Sequence, residues 1–293
     1  MNETAIFLVL LSAVMHAFRN FLTKKALDKQ SFIWWYEVFG LIFFTPVFVW
    51  ALVSQGLDAL IFSKMILISG VLHFLYWVFL AKSLENGDLS LVYPIMRSSP
   101  ALVLVFSIAV LGERVSTSGI IGILLVAIGV YTIGMKRFSL AELTRPMRAV
   151  RSDRATRFAL LTLVMVAAYS LADKIAVSEM HPVVFAYLYP WVSMTLFSLY
   201  LGNTKGAGGA FIREWVFNKT GILFCGVLSI FGYFLILAAF TLERVSYIVG
   251  LRQLSIVFAV LLGGHFLKEA NRLVRIVSSV VIFLGAYLIA IAD

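Results

Sequence analysis

Long runs of apolar residues, separated by short polar connections, dominate this chain from end to end. Ten of the runs are about as long as the roughly 20 residues that a helix needs to cross the hydrocarbon core of a bilayer. They lie at about 4–23, 32–53, 64–84, 89–110, 117–135, 157–179, 183–202, 219–241, 246–267 and 273–292. Each run is apolar on every face rather than alternating with period two, which argues against membrane strands. The pattern therefore predicts an all-α integral membrane protein with ten transmembrane helices.

One long, polar and basic connection divides the chain into halves of similar length. It predicts a first five-helix repeat at 1–135, a cytoplasmic linker at 136–156 and a second five-helix repeat at 157–293. Sliding the second half back by 156 residues superposes Leu267-Lys268-Glu269 on Leu111-Gly112-Glu113. Because five crossings are an odd number, the second repeat is expected to be inserted upside down relative to the first. Inverted repeats are typical of secondary transporters.

Composition agrees with this prediction and charge adds an orientation. Hydrophobic residues make up 61% of the chain and charged residues 13%, against about 45–50% and 25% in soluble domains. The net charge of +9 does not indicate nucleic-acid binding, because most Lys and Arg residues fall in the loops after the first, third, fifth, seventh and ninth helices. By the positive-inside rule these loops are cytoplasmic, which places both termini on the non-cytoplasmic side.

Several short motifs resemble the EamA-type members of the drug/metabolite transporter superfamily. The resemblance is carried by His16-Ala17, Asn20 and Lys24 on the first helix, by Pro94, Pro100 and Leu111-Gly112-Glu113, and by Ala168-Tyr169-Ser170-Leu171-Ala172-Asp173-Lys174 in the second half. It implies a ten-helix carrier with a central cavity in the inner (plasma) membrane of a prokaryote. Superfamily substrates include amino acids, quaternary amines, sugar phosphates and nucleotide sugars, so the resemblance does not identify the substrate. Arg19 departs from the family pattern, which has tryptophan there.

Charged side chains at bilayer depth are costly unless they are paired or hydrated, so each is a candidate functional residue. Arg19 and Glu37 lie at similar depths and are expected to pair. Asp173 and Arg252 also lie at matching depths near the other surface and are expected to form a second pair. With Lys174 near the same surface, Arg19, Glu37 and Asp173 are candidate gate or coupling residues. The alternative, static bridges that hold helices in register, stays open.

Arg97 is the strongest candidate for contact with a substrate, and the alternative is a pair with Glu37 or with a backbone carbonyl. It lies near the centre of the fourth helix between Pro94 and Pro100, which are expected to open or kink that helix. A guanidinium binds carboxylate or phosphate through two parallel hydrogen bonds. By resemblance, members that carry phosphorylated sugars use basic residues on the fourth and ninth helices, where Arg97 and Arg252 lie. The full set of candidate substrate-binding residues is Arg97, Tyr93, His16, Asn20, Arg252, Tyr169 and Trp77.

These features favour a secondary transporter that moves a small anionic or zwitterionic metabolite by alternating access. The alternatives are an exporter of aromatic or cationic compounds such as amino acids or quaternary amines, and a translocator of a lipid-linked phosphate. No motif for nucleotide hydrolysis or metal binding is present, so we expect no enzyme activity, cofactor or metal. The expected partners are the substrate, the lipid bilayer and a proton or counter-substrate, without nucleic acid. A homodimer contact through the glycines of the fifth helix stays open.

Overall fold

The computed structural model is built from α-helices and describes residues 1–55, 63–87, 89–205, 209–258 and 271–293. The helices are α1 (Glu3–Lys25), α2 (Lys29–Gln55), α3 (Lys64–Asn86), α4 (Leu89–Arg97), α5 (Ser99–Leu111), α6 (Thr117–Thr132), α7 (Leu140–Ser152), α8 (Arg154–Glu179), α9 (Pro182–Lys205), α10 (Gly209–Leu242), α11 (Val245–Arg252) and α12 (Arg272–Ala290). A further helical segment occupies 254–258. Over the described ranges there is no strand, which confirms the all-α prediction.

Eight helices in the described part of the chain are long and apolar enough to cross a membrane, and two shorter apolar helices lie at Thr117–Thr132 and Val245–Phe258. These ten segments fall where the apolar runs predicted crossings, although a count of ten crossings stays a prediction. The end of the predicted span 246–267, and with it the motif Leu267-Lys268-Glu269, lies outside the described residues.

The fourth predicted crossing is two helices rather than one. The backbone breaks at Ser98, between α4 and α5, and Pro100 occupies the first turn of the second piece. The ninth crossing breaks in the same way after Arg252, where Gln253 is a turn residue. An arginine is therefore the last residue of the first half-helix in both repeats.

Close packing between the repeats depends on glycine. Helix α6 lies against α12 so tightly that a Cβ on Gly122 would be 2.7 Å from the carbonyl oxygen of Gly285, and a Cβ on Gly285 would be 2.6 Å from that of Gly122. Gly40 on α2 and Gly226 on α10 form a second close contact between backbones. A Cβ on Gly40 would be 3.0 Å from the carbonyl oxygen of Gly226. Small residues at such crossings allow helix axes to approach without a side chain between them.

The two repeats also exchange their first helices. Helix α1 packs on α10, the third long helix of the second repeat, while α8 packs on α3, the third helix of the first. The termini meet at one end of the bundle, where the Met1 ammonium donates a hydrogen bond of 2.6 Å to the carbonyl of Ala292. The polar side chains described below lie inside this exchanged arrangement.

The predicted linker at 136–156 contains an additional helix, α7. Ser139 caps its N-terminus by accepting from the backbone N–H of Glu142, and Asp153 follows its C-terminus. Leu140 and Leu143 are exposed on one face. A short amphipathic helix with many arginines is typical of segments that lie at a membrane surface.

Candidate functional site

A row of basic side chains, Arg97, His16 and Arg19, begins at the break in the fourth crossing, between α4 and α5. Arg97 ends α4, and the Ser98 hydroxyl donates a hydrogen bond of 2.7 Å to the carbonyl of Pro94. A cation at the C-terminus of a helix interacts favourably with the partial negative charge of the helix dipole. The half-helix therefore places a guanidinium inside the bundle and helps to stabilise it there.

His16 on α1 lies between two guanidinium groups. Its Nδ1 atom is 2.8 Å from Nη2 of Arg19, and its Nε2 atom is 3.2 Å from both Nη1 and Nη2 of Arg97. The imidazole is buried, with 7% of its surface exposed. Three of the predicted site residues are thus brought together in a continuous row, two of them cations.

Arg19 and Glu37 are joined through Ser229 instead of forming the direct pair expected from sequence. Arg19 Nη1 donates to the Ser229 hydroxyl at 3.0 Å, and that hydroxyl donates to Glu37 Oε1 at 2.8 Å. The Arg19 guanidinium also lies 5.9 Å from the ring centre of Tyr36, while its buried Nε has no hydrogen-bond partner among the described residues. The expected pair is wrong in its contacts because α10, carrying Ser229, lies between α1 and α2.

The expected Asp173–Arg252 pair is replaced by a different network. Asp173 is fully buried and accepts hydrogen bonds from Ser69 at Oδ1 and from Tyr233 at Oδ2, and its Oδ2 lies 3.1 Å from His73 Nε2. Arg252 lies instead over the ring of Tyr233, with its Cζ 5.3 Å from the ring centre. Tyr233 therefore lies between Asp173 and Arg252, which were expected to pair because they lie at the same depth in the membrane.

Aromatic rings surround the Asp173 network. The imidazole of His73 stacks on Tyr169 at 4.1 Å between ring centres and lies 4.7 Å from Tyr189. Tyr76 contacts Tyr169 at 5.6 Å, and Trp77 contacts Tyr76 at 5.0 Å. Tyr169 and Trp77, both predicted substrate contacts, thus belong to an aromatic wall beside the acidic group.

The remaining predicted residues have separate surroundings. The Lys174 ammonium donates to the carbonyls of Phe240 and Glu243, the latter at 2.9 Å, and so caps the C-terminus of α10. Asn20 is half-buried on α1 next to Arg19. Tyr93 is on α4 one turn before Arg97, but its side chain lies outside the described residues.

Four polar residues of the site were not among the predicted set: Ser69, His73, Ser229 and Tyr233. Each is a single polar side chain inside an otherwise apolar run, which is a weak signal taken alone. The repeat offset of 156 residues carried more information, because it maps His73 onto Ser229 and Trp77 onto Tyr233. Helix α10 presents Ser229 and Tyr233 one turn apart, so a single helix touches both polar networks.

The arrangement brings charged and hydrogen-bonding side chains of both repeats together. In the described part of the chain, no group of three or more His, Cys, Asp or Glu side chains is placed to hold a metal ion. The site offers instead three arginines, two imidazoles and two carboxylates, distributed over helices of both repeats.

Comparisons with known proteins agree with this picture. No curated protein matches the chain. Among solved structures 28 chains match, and one of them, described as "Crystal structure of protein", has a TM-score of 0.73 at 16% sequence identity over 99% of this chain and 98% of that chain. At that identity the likeness concerns the fold alone. A profile of the EamA-like transporter family matches residues 3–135 and 155–291. The chain therefore belongs to the EamA-like transporter family and is a multi-pass membrane protein.

Proposed function

We propose that this chain is a secondary transporter for a small anionic or zwitterionic metabolite that bears a phosphate or carboxylate group. The observation that carries the proposal is His16 between Arg19 and Arg97, with both ring nitrogens facing guanidinium nitrogens. Family membership supports transport as such. The anionic preference rests on the chemistry of this row.

The row contains more donors than acceptors. A guanidinium only donates hydrogen bonds, and a neutral imidazole has one acceptor nitrogen and one N–H. Whichever tautomer His16 adopts, one of its nitrogens directs an N–H towards a guanidinium. An anion with two or three oxygens relieves this mismatch, because each oxygen accepts from an N–H and the charge is compensated in a medium of low dielectric.

The two repeats provide the means of moving such an anion. In our proposal they are inverted, both termini are on the non-cytoplasmic side of the plasma membrane, and rocking of one repeat against the other exposes the row to each side in turn. Glu37, bound to Ser229 of α10, and Asp173, bound to Ser69 and His73 of α3, are then the acidic members of the contacts between the repeats that change. Arg19 also binds α10 across the repeats, whereas Lys174 binds α10 within the second repeat.

The aromatic wall favours a second candidate function. Tyr169, Tyr189 and Tyr233 surround His73 with rings that stack on flat ligands or enclose a quaternary amine. An exporter of aromatic or cationic compounds would use these rings rather than the basic row. A lipid-linked phosphate would require, in addition, a lateral opening between helices.

The proposal is tested by ligand-induced thermal stabilisation of the purified protein. Cys225 is the single cysteine and is buried, so a thiol-reactive fluorescent dye reports unfolding without engineering. The ligands are glucose 6-phosphate, citrate, glutamate, tryptophan and tetramethylammonium. A ligand at 100 times its Kd stabilises a protein by about 2.7 kcal/mol, which is readily measured as a melting shift.

Wild type is compared with Arg97→Ala, Arg97→Lys and the control Arg114→Ala, since Arg114 is exposed. We expect an anion to stabilise wild type and Arg114→Ala, to fail with Arg97→Ala, and to act weakly with Arg97→Lys, whose ammonium lacks the planar fork. The opposite outcome is that no anion stabilises wild type, while tryptophan or tetramethylammonium stabilises wild type and Arg97→Ala equally. The protein would then be an exporter of aromatic or cationic compounds instead.

A further inference from the structure

A buried carboxylate–imidazole pair lies apart from the basic row, and the proposed anion contacts leave it unused. Asp173 on α8 has no exposed surface, and His73 on α3 is 8% exposed. Their contact of 3.1 Å crosses between the two repeats. Burial of a carboxylate is costly unless its lone pairs are satisfied, so the groups around it define its protonation state.

Two hydroxyl groups and one imidazole surround the Asp173 carboxylate. Ser69 and Tyr233 each direct a hydroxyl at the carboxylate, which uses their protons. His73 Nε2 is the third neighbour and must carry a hydrogen in order to donate.

This arrangement leaves one vacant proton position. When Nε2 of His73 carries the hydrogen, a neutral imidazole has its lone pair on Nδ1, and Nδ1 has no hydrogen-bond partner among the described residues. A proton added there produces an imidazolium that keeps its contact with Asp173. The added positive charge on His73 then lies beside the carboxylate of Asp173. Charged groups inside a membrane protein are tolerated when they are paired in this way.

Charged and titratable groups face this position from every helix packed around it. They are Tyr169 and Asp173 on α8, Tyr189 on α9, Tyr233 on α10 with Arg252 of α11 beyond its ring, and Glu37 on α2 within electrostatic range. Two carboxylates and one guanidinium are thus the charged groups nearest to the His73 imidazole. A balance of this kind allows the proton to be both bound and released.

We propose that transport is coupled to protons, and that His73, oriented by Asp173, carries one proton per cycle on Nδ1. The proposal rests on the proposed function, because coupling requires a transported substrate. The proton is taken from water when the cavity faces one side and returned to water when it faces the other, and no covalent bond other than N–H changes. Symport of one proton with a monoanion moves no net charge.

Helix α10 connects the proton position to the anion position. Its Ser229 contacts Arg19 and Glu37, and its Tyr233 contacts Asp173 one turn later. An anion bound at the basic row attracts the imidazolium and shifts α10 contacts at the same time. Linkage is reciprocal, so the anion raises proton affinity by the same factor by which the proton raises anion affinity.

The first test requires no substrate and follows the histidine ring nitrogens by ¹⁵N NMR in micelles, with His73→Asn to assign the signal. We expect His73 to hold its hydrogen on Nε2 when neutral and to gain a second hydrogen on Nδ1 when the pH is lowered. In Asp173→Asn the titration should move to lower pH, because the neutral amide no longer stabilises the imidazolium. A His73 that stays neutral throughout, or that titrates identically in Asp173→Asn, contradicts the proposal.

The second test measures uptake of radiolabelled glucose 6-phosphate, citrate and glutamate into proteoliposomes, with and without an imposed pH gradient. A gradient of one pH unit should support accumulation of up to about tenfold by wild type and by the control His181→Asn, which is outside the cluster. His73→Asn should retain exchange of labelled for unlabelled substrate at equal pH but lose the response to the gradient.

The outcomes separate the two proposals. Exchange by wild type without any gradient response, or an undiminished gradient response in His73→Asn, overturns the proton site and leaves the proposed function standing. If no probe anion is exchanged by wild type, the proposed function fails, and the NMR titration then decides the protonation of His73 on its own.

Discussion

Glu113 forms a polar contact between the repeats, and its replacement by glutamine should loosen one end of the bundle. It lies in the turn between α5 and α6, where Gly112 adopts a left-handed conformation with φ of 67° that favours glycine. The carboxylate accepts from the backbone N–H of Val245 at 2.6 Å and from the backbone and hydroxyl of Ser246 at 3.3 and 2.6 Å. It thereby caps the N-terminus of α11.

The magnitude follows from these contacts. Glutamine keeps one acceptor oxygen but presents an NH₂ group where the second oxygen accepted, so at least one hydrogen bond to a charged acceptor is lost, worth about 1.5–3 kcal/mol. Loss of the negative charge at the helix N-terminus adds about 0.3–1 kcal/mol. Because Glu113 is half-buried, we expect the lower part of the summed range, about 2–3 kcal/mol in total.

Two measurements check this expectation. The melting temperature, read through Cys225 labelling, should fall by several degrees in Glu113→Gln. Hydrogen exchange at the first amides of α11, measured by mass spectrometry, should accelerate more than exchange elsewhere. The control is Glu142→Gln, whose carboxylate forms a partly exposed ion pair of 3.8 Å with Arg145 and accepts a long, exposed hydrogen bond of 3.5 Å from the backbone N–H of Lys136. This substitution should change stability by less than about 1 kcal/mol.

The reasoning would be refuted by Glu113→Gln melting at the wild-type temperature with unchanged exchange in α11. It would be refuted equally by matching shifts in Glu113→Gln and Glu142→Gln, because charge removal in general, and not this helix cap, would then be the cause.

Two further predictions concern packing and pH. Gly122→Ala should destabilise the bundle by about 1–3 kcal/mol through overpacking, because its Cβ would be 2.7 Å from the Gly285 carbonyl oxygen. The control is Gly202→Ala, whose Cβ would meet nothing within 4 Å. In the same melting assay it should be neutral or stabilising by up to about 1 kcal/mol. Asp153 caps α8 outside the membrane, and hydrogen bonds from Thr156 lower its pKa below the ordinary value. The stabilisation that ionised Asp153 contributes is therefore complete above the ordinary aspartate pKa and is lost as the pH falls through the lowered pKa. In melting scans from pH 6 to about 3, wild type should lose stability relative to Asp153→Asn.

The apolar runs predicted the helical fold well, because lipid requires a continuous apolar surface and leaves a strong signal in the sequence. The break at Ser98 was indicated by Pro94 and Pro100, because a proline lacks the backbone N–H that a continuous helix requires and is tolerated best in the first turn of a new helix. The break after Arg252 has no proline beside it and was not predicted. Helix α7 was also missed, since its amphipathic pattern is short and is embedded in a basic linker.

The site could be predicted only in part. Charges at bilayer depth are conspicuous, and Arg97, His16 and Arg19 are placed together. Depth along single helices does not determine which helices are neighbours, however, so the expected partners of Glu37 and Asp173 were wrong. Hydroxyl groups such as Ser229 carry no signal until α10 is known to lie between α1 and α2.

The matching breaks have a consequence for the ancestry of the chain. A duplicated gene starts with identical halves, and both halves here interrupt the same helix immediately after an arginine, Arg97 in one and Arg252 in the other. These arginines are 155 residues apart, so at the offset of 156 residues the break lies one position earlier in the second half. The partners have diverged, because the offset of 156 residues aligns the imidazole of His73 with the hydroxyl of Ser229. A protein assembled from two copies of either half would thus keep the interrupted helices but lose one of the two polar networks, so the halves are no longer interchangeable.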